Sequence, residues 1–143
     1  MEKTRVLFLC TGNSCRSQMA EASLRAYGGD AYDVYSAGLI PKTIDPLVYR
    51  VMAEEGIDLS GQRSKGMDEY QGKVDFDYVI TVCADDDQNC PVFYSKTAQQ
   101  LHWPFDDPTK FMGSEAERLE KFRDTRDAIA SRIKQWVDQR ASA

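Results

Sequence analysis

A short apolar run, Val6-Leu7-Phe8-Leu9, passes through Cys10-Thr11-Gly12-Asn13-Ser14-Cys15-Arg16-Ser17 into the helix-like segment Gln18 to Tyr27. This succession constrains the fold more than any other feature. A buried strand, a tight Gly-containing loop and a helix start follow one another directly. The Gly-containing loop between them is a ready anion site, because successive backbone N–H groups and the positive end of the helix dipole converge there. Thr11, Gly12, Asn13, Ser14 and Cys15 form the cradle. Cys10 opens the loop and Arg16 closes it, so the guanidinium can fork onto the oxygens of a tetrahedral anion while the sulfur faces its centre. The same groups are expected to lower the Cys10 thiol pKa and keep a thiolate at neutral pH. The Ser17 hydroxyl is placed to donate a hydrogen bond to that sulfur.

Strand and helix signals then alternate. Val6 to Cys10 reads as the first strand, and Arg16 to Tyr27 as a helix stopped by Gly28-Gly29. Tyr32 to Ser36 is the second strand, closed by Ala37-Gly38. A second helix is capped by Asp45 with Pro46 at its first position, turns Leu47, Val48, Val51 and Met52 inward, and ends near Gly56. Ile57 to Ser64 is loop, with a short helix around Met67 to Tyr70. Phe76 to Val82 is an interior strand, and Gln99 to Trp103 the fourth. After the loop Pro104 to Gly113, Ser114 caps a long amphipathic helix with the stripe Leu119, Phe122, Ala128, Ile129, Ile133, Trp136 and Val137. Ala141-Ser142-Ala143 is expected to fray. The predicted architecture is α/β: a doubly wound four-stranded parallel sheet, order 2-1-3-4, with helices on both faces. Its ligand crevice lies where the order reverses, at the C-terminal ends of strands one and three.

Size and charge narrow the function. Residues 1–143 are expected to form a single domain able to bury a core without metal or disulfide staples. A net charge of −5 argues against a nucleic-acid surface and confines attraction of an anion to the loop itself. No apolar run approaches ~20 residues, so no membrane span is expected. Met1 to Arg5 lacks a hydrophobic signal core, which predicts a cytoplasmic chain with reduced thiols. Four cysteines there point to catalysis or metal binding rather than staples. Zinc is disfavoured because no C-x2-C spacing occurs and the lone histidine, His102, lies far along the chain. No metal or bound cofactor is assigned, and a monomer is expected.

Two further constellations flank the loop. Cys83 directly follows strand three and is expected at the crevice lip opposite Cys10. Neighbouring strands lie ~4.8 Å apart and disulfide Cα atoms ~4.4–6.8 Å apart, so Cys10 and Cys83 come within bonding range after modest movement. Cys90 follows across Ala84-Asp85-Asp86-Asp87-Gln88-Asn89. As a helix this segment would hold Cys83 and Cys90 ~10.5 Å apart, so their pairing requires it to melt. Its acidic, polar composition makes melting cheap. The alternative is a pair of inert, half-buried thiols. Asp107, held extended by Pro108, can lean over the anion site and shuttle a proton, although Asp-Pro is also ordinary turn chemistry.

The pattern C-x5-R-S after a strand resembles the signature of the low-molecular-weight protein tyrosine phosphatases and of the arsenate reductases that share their fold. With Tyr35-Ser36-Ala37-Gly38, Cys83-x6-Cys90-Pro91 and His102-Trp103-x-Phe105-Asp106-Asp107-Pro108, nearly the whole chain is similar to the thioredoxin-coupled arsenate reductases. The cysteine pair is the specific part, since the phosphatases lack it. The resemblance implies that Cys10 is the nucleophile, Arg16 the oxyanion clamp, Ser17 the thiolate stabiliser and Asp107 the proton donor. It further implies that Cys83 and then Cys90 resolve the adduct, and that thioredoxin reduces the final disulfide. Cys15 receives no required role. Members with a structural potassium ion resemble this chain at Asn13, Glu21 and Ser36, but Lys65 stands near the place of the acidic fourth ligand. An ammonium there repels the ion and can take its place, which puts potassium dependence in doubt. The runner-up, phosphotyrosine hydrolysis, needs only Cys10, Arg16 and Asp107. Against it, neither Thr109-Lys110 nor Leu39 to Ile44 offers an aromatic to stack on a phenyl ring. A binding module without turnover is the third class.

Overall fold

The computed structural model describes residues 2–142. Four parallel strands, β1 (Thr4–Cys10), β2 (Tyr32–Gly38), β3 (Tyr78–Thr81) and β4 (Gln99–His102), form one sheet in the order β2-β1-β3-β4. The register aligns Cys10 with Gly38 and Leu9 with Thr81, so the order reverses beside the end of β1. The fold therefore opens its crevice directly above Cys10. Among the described residues three α-helices complete it: α1 (Arg16–Gly28), α2 (Pro46–Ala53) and α3 (Glu115–Ala141).

Alternation along β1 divides the core. Val6 and Phe8 face a large cluster that contains Met19 and Leu24 of α1, Val48 and Val51 of α2, and Phe122, Ile129 and Ile133 of α3. Leu7 and Leu9 face a smaller one with Ala37, Phe76, Val79 and Phe93. The helical cover expected on both faces is thus unequal. All three α-helices lie on one side, while the other is closed by the 3-10 turn Met67–Glu69 and by loops that bring in Tyr70, Val74 and Phe93. Edge-to-face contacts of Phe76 with Tyr35, Tyr70 and Phe93 knit that second face.

Capping follows the sequence. The Asp45 side chain accepts from Leu47 N–H at 2.9 Å, and Ser114 forms a capping box with Glu117. One residue of the predicted α3 stripe is corrected: Ala128 is exposed, and Arg126 is buried in the stripe instead. Leu119, Phe122, Arg126, Ile129, Ile133 and Trp136 recur at helical spacing, a rhythm that Ala128 breaks. Arg126 is tolerated there because it donates to Val51 O and pairs with Glu54, both at 2.8 Å. Of the terminal residues expected to fray, Ala141 ends α3 and Ser142 caps it, and Ala143 lies outside the described residues.

Candidate active site

Cys10 is buried at the end of β1, with its Sγ 2.8 Å from Ser17 Oγ. The hydrogen-bond network leaves the Ser17 proton free for that contact. Asn13 Oδ1 accepts from the Lys65 backbone N–H at 2.9 Å, so its amide nitrogen faces Ser17 and Ser36 at 2.8 and 2.9 Å. Ser17 Oγ thus accepts from Asn13 and keeps its own proton for the Cys10 sulfur. Asn13 is the one non-glycine residue with positive φ among those described, at 48°, a region that asparagine tolerates.

The loop around Cys10 is held from several sides. Its carbonyls at Thr11, Gly12 and Ser14 accept from the N–H groups of Ile40, Lys42 and Asp45 at 2.8–3.0 Å. Gly38 lies so close that a Cβ would meet Asn13 N at 2.7 Å and Thr11 O at 2.8 Å, which explains a glycine at the end of β2. No side chain caps α1 and no acidic residue lies in its first turn, so the charge at its N-terminus is uncompensated there.

Arg16 is buried and donates to Phe105 O at 3.1 Å through Nη1. Its Nη2 lies 3.5 Å from Asp87 Oδ2 and 3.5 Å from Asp107 Oδ2. Asp107 is extended, with φ −86° and ψ 104°, and its Oδ1 accepts from Thr109 N–H at 3.0 Å and Thr109 Oγ1 at 2.6 Å. Thr109 thereby aims the other carboxyl oxygen at Arg16. Burial pushes the Cys15 thiol well up, with Asp107 and Cys10 adding to the effect, so Cys15 stays protonated and is a poor nucleophile.

Cys83 and Cys90 are disulfide-bonded, with Cα atoms 5.8 Å apart, and residues 84–89 are not helical. Cys83 is fully buried and does not line the crevice, so the expected lip is formed by two other residues of this segment, Asp87 and Asn89. The structure brings together Cys10, Thr11, Gly12, Ser14, Cys15, Arg16 and Asp107 around a crevice of about 530 Å3. Lys42 and Lys110 add positive charge at its walls, and none of the described lining residues is aromatic. His102 is engaged through both ring nitrogens, Nδ1 at 2.6 Å from Thr81 Oγ1 and Nε2 at 3.0 Å from Asp85 Oδ1. Sequence reasoning missed Asp87, Asn89, Thr109 and the two lysines. Only the position of Asp87 between the cysteines hinted at its place.

Below the loop, Lys65 Nζ lies 2.8 Å from Arg63 O, 3.2 Å from Ser36 Oγ, 3.4 Å from Asn13 Oδ1 and 3.7 Å from Glu21 Oε1. Ser36 in turn donates to Glu21 at 2.5 Å. Burial pushes the Lys65 ammonium pKa down, while Glu21 opposes that shift. An ammonium thus stands among Asn13, Ser36 and Glu21, the residues at which the chain resembles potassium-binding members.

Chemically, the crevice offers a sulfur at the floor of the Cys10–Arg16 loop, with a guanidinium and a carboxyl group beside it, and it is bordered by the segment that the Cys83–Cys90 disulfide closes. A model of the low molecular weight phosphotyrosine protein phosphatase family matches residues 5–142. The chain belongs to that family. Within the family it is 44% identical over 139 residues to an arsenate reductase of Halalkalibacterium halodurans, covering 96% of this chain and 98% of that protein. Among solved structures, an arsenate reductase in a phosphate-binding state superposes with a TM-score of 0.78 at 31% identity, covering 95% of this chain and 98% of the other. A thioredoxin-dependent arsenate reductase of Corynebacterium glutamicum gives a TM-score of 0.61 at 30% identity, over 93% of this chain and 63% of its own. Among the described residues no helix is long and apolar enough to cross a membrane.

Proposed function

We propose that this protein reduces arsenate to arsenite through a cysteine relay regenerated by thioredoxin. The observation that carries the reading is the second cysteine pair. Cys83 and Cys90 are bonded to each other, and the segment between them reaches into the crevice above the free thiol of Cys10. A phosphatase needs no such pair.

Arsenate binds in the loop Thr11 to Cys15, with Arg16 on its oxygens. The Cys10 sulfur attacks arsenic and displaces a hydroxyl, which leaves as water with a proton from Asp107. Ser17, fixed by Asn13, stabilises the sulfur before attack. Cys83 then attacks the Cys10 sulfur. A Cys10–Cys83 disulfide forms, and the sulfur–arsenic electron pair departs with arsenic as arsenite, so two thiols supply the two electrons. Cys90 attacks Cys83, releases Cys10 and leaves the Cys83–Cys90 disulfide. A thioredoxin dithiol supplies two electrons and two protons to reopen it. The enzyme needs no bound cofactor in this scheme, and Lys65 supplies the positive charge beneath the loop in place of potassium.

The absence of aromatics among the described lining residues supports a small oxyanion over an aryl phosphate. The test is an assay of arsenate-dependent thioredoxin oxidation beside hydrolysis of an aryl phosphate. Turnover in the first with little in the second is expected. Efficient hydrolysis without thioredoxin oxidation contradicts the reading.

A further inference from the structure

The three consecutive aspartates between the bonded cysteines point in different directions. Asp85 turns to His102, with Oδ1 3.0 Å from Nε2, and Asp86 is exposed to solvent. Asp87 turns inward. Its Oδ2 accepts from Thr11 Oγ1 at 3.0 Å and lies 3.5 Å from Arg16 Nη2, while its Oδ1 accepts from Asn89 N–H at 3.2 Å. Its side chain is only 9% exposed. Thr11 also reaches Asn89 O at 3.4 Å, so two residues of this segment rest on the first residue of the anion cradle.

We propose that Asp87 is a redox-coupled plug of the anion site: while Cys83 and Cys90 are bonded, its carboxylate sits against Arg16 and Thr11 where an oxyanion would bind, and reduction of the bond withdraws it. The proposal rests on the reading of this crevice as an oxyanion site whose cysteine pair is reduced in each cycle. A carboxylate presents two oxygens to a guanidinium much as a tetrahedral oxyanion does, so the two compete for the same donors. Asp107 Oδ2 already lies 3.5 Å from the same nitrogen, so an oxyanion arriving there would have to share one guanidinium with two carboxyl groups. Burial alone would raise the Asp87 carboxyl, but hydrogen bonds from Asn89 N–H and Thr11, together with Arg16, outweigh it and keep the group ionised.

The disulfide holds the plug in place. It ties positions 83 and 90 together at 5.8 Å and forces the chain between them into a closed turn over the crevice. Reduction by a dithiol transfers two electrons and two protons, leaves two thiols here and a disulfide on the donor, and opens the turn. The gain is order in the cycle. An arsenate adduct formed at Cys10 while Cys83 is still bonded would have no thiol to resolve it, and a plugged site prevents that adduct.

Binding of inorganic phosphate, measured by titration calorimetry at fixed ionic strength, tests the plug without any turnover. The protein is prepared with the Cys83–Cys90 bond intact and with it reduced, Cys10 and Cys15 being free thiols in both. Phosphate should bind the bonded form at least about tenfold more weakly, the value for a site open one-tenth of the time. Asp87→Asn and Asp87→Ser should each recover most of that loss in the bonded form, and Asp86→Asn should not. Equal affinity in the two redox states overturns the proposal, as does an Asp87→Asn protein that keeps the weak affinity. Recovery as large in Asp86→Asn would reduce the effect to general charge and also overturn it. A redox-dependent affinity in a protein that fails to reduce arsenate would keep the plug and remove the function, so the two failures read separately.

Discussion

The loop from Cys10 to Ser17 and the segment from Ala84 to Asn89 meet over one crevice but are built on opposite terms. The first is locked by buried hydrogen bonds from β2, the 40–45 segment and Lys65, with Asn13 alone bonded to Ser17, Ser36, Gln18 and Lys65. The second is exposed over most of its length and is held by its disulfide and a few side-chain contacts. Chemistry on an oxyanion wants donors that do not reorganise. A relay that must carry a thiol to Cys10 and then away wants a segment of low local stability. For the proposed relay the fold offers both, with the hydrogen-bonded loop at a strand–helix junction and the exposed segment just after β3.

The largest expected effect falls on the movable side. Cys83→Ser should abolish arsenate turnover, because nothing then displaces arsenite from Cys10, while hydrolysis of an aryl phosphate changes little. Parallel assays of both reactions check this, and retained arsenate turnover would make the second region dispensable. On the rigid side, Arg16→Lys keeps the charge but loses the planar fork. Turnover should drop about 10²- to 10³-fold, as for loss of an oxyanion donor, in a protein that stays folded by circular dichroism.

Much of this contrast was legible in the sequence. Val6 to Leu9 running into a Gly-containing loop and a helix admits few solutions, so Cys10, Arg16, Ser17 and the sheet order could be placed. Asp45-Pro46 and Ser114 marked helix starts because capping is local chemistry. Asp87 could not be placed, since the contacts that turn it inward are with Thr11 and Arg16, more than seventy residues away in the chain. Arg126 in the core was equally hidden, because its burial depends on Glu54 and Val51 O of the neighbouring helix and turn. The cover of the second sheet face was missed for the same reason: Phe93 and Tyr70 arrive from loops without periodicity.

A third, smaller effect probes the rigidity of the loop. Asn13→Ala should destabilise the protein by about 1–3 kcal/mol for each buried partner left unpaired, read from chemical denaturation, and should lower turnover through the unfixed Ser17. An unchanged midpoint with full activity would show that the network is incidental. The smallest expected effect is none at all: melting temperature and turnover should hardly differ between sodium and potassium buffers. Lys65→Asp should create a potassium response in melting temperature. A large potassium effect on the parent protein contradicts Lys65 as the resident cation.

The relay itself is tested most directly by mass spectrometry of Cys90→Ser, quenched after a single exposure to arsenate. Without Cys90 the segment can attack once and cannot reset. The account predicts one equivalent of arsenite and a trapped Cys10–Cys83 disulfide. Repeated turnover of Cys90→Ser with thioredoxin, or a product with Cys83 still free, contradicts it.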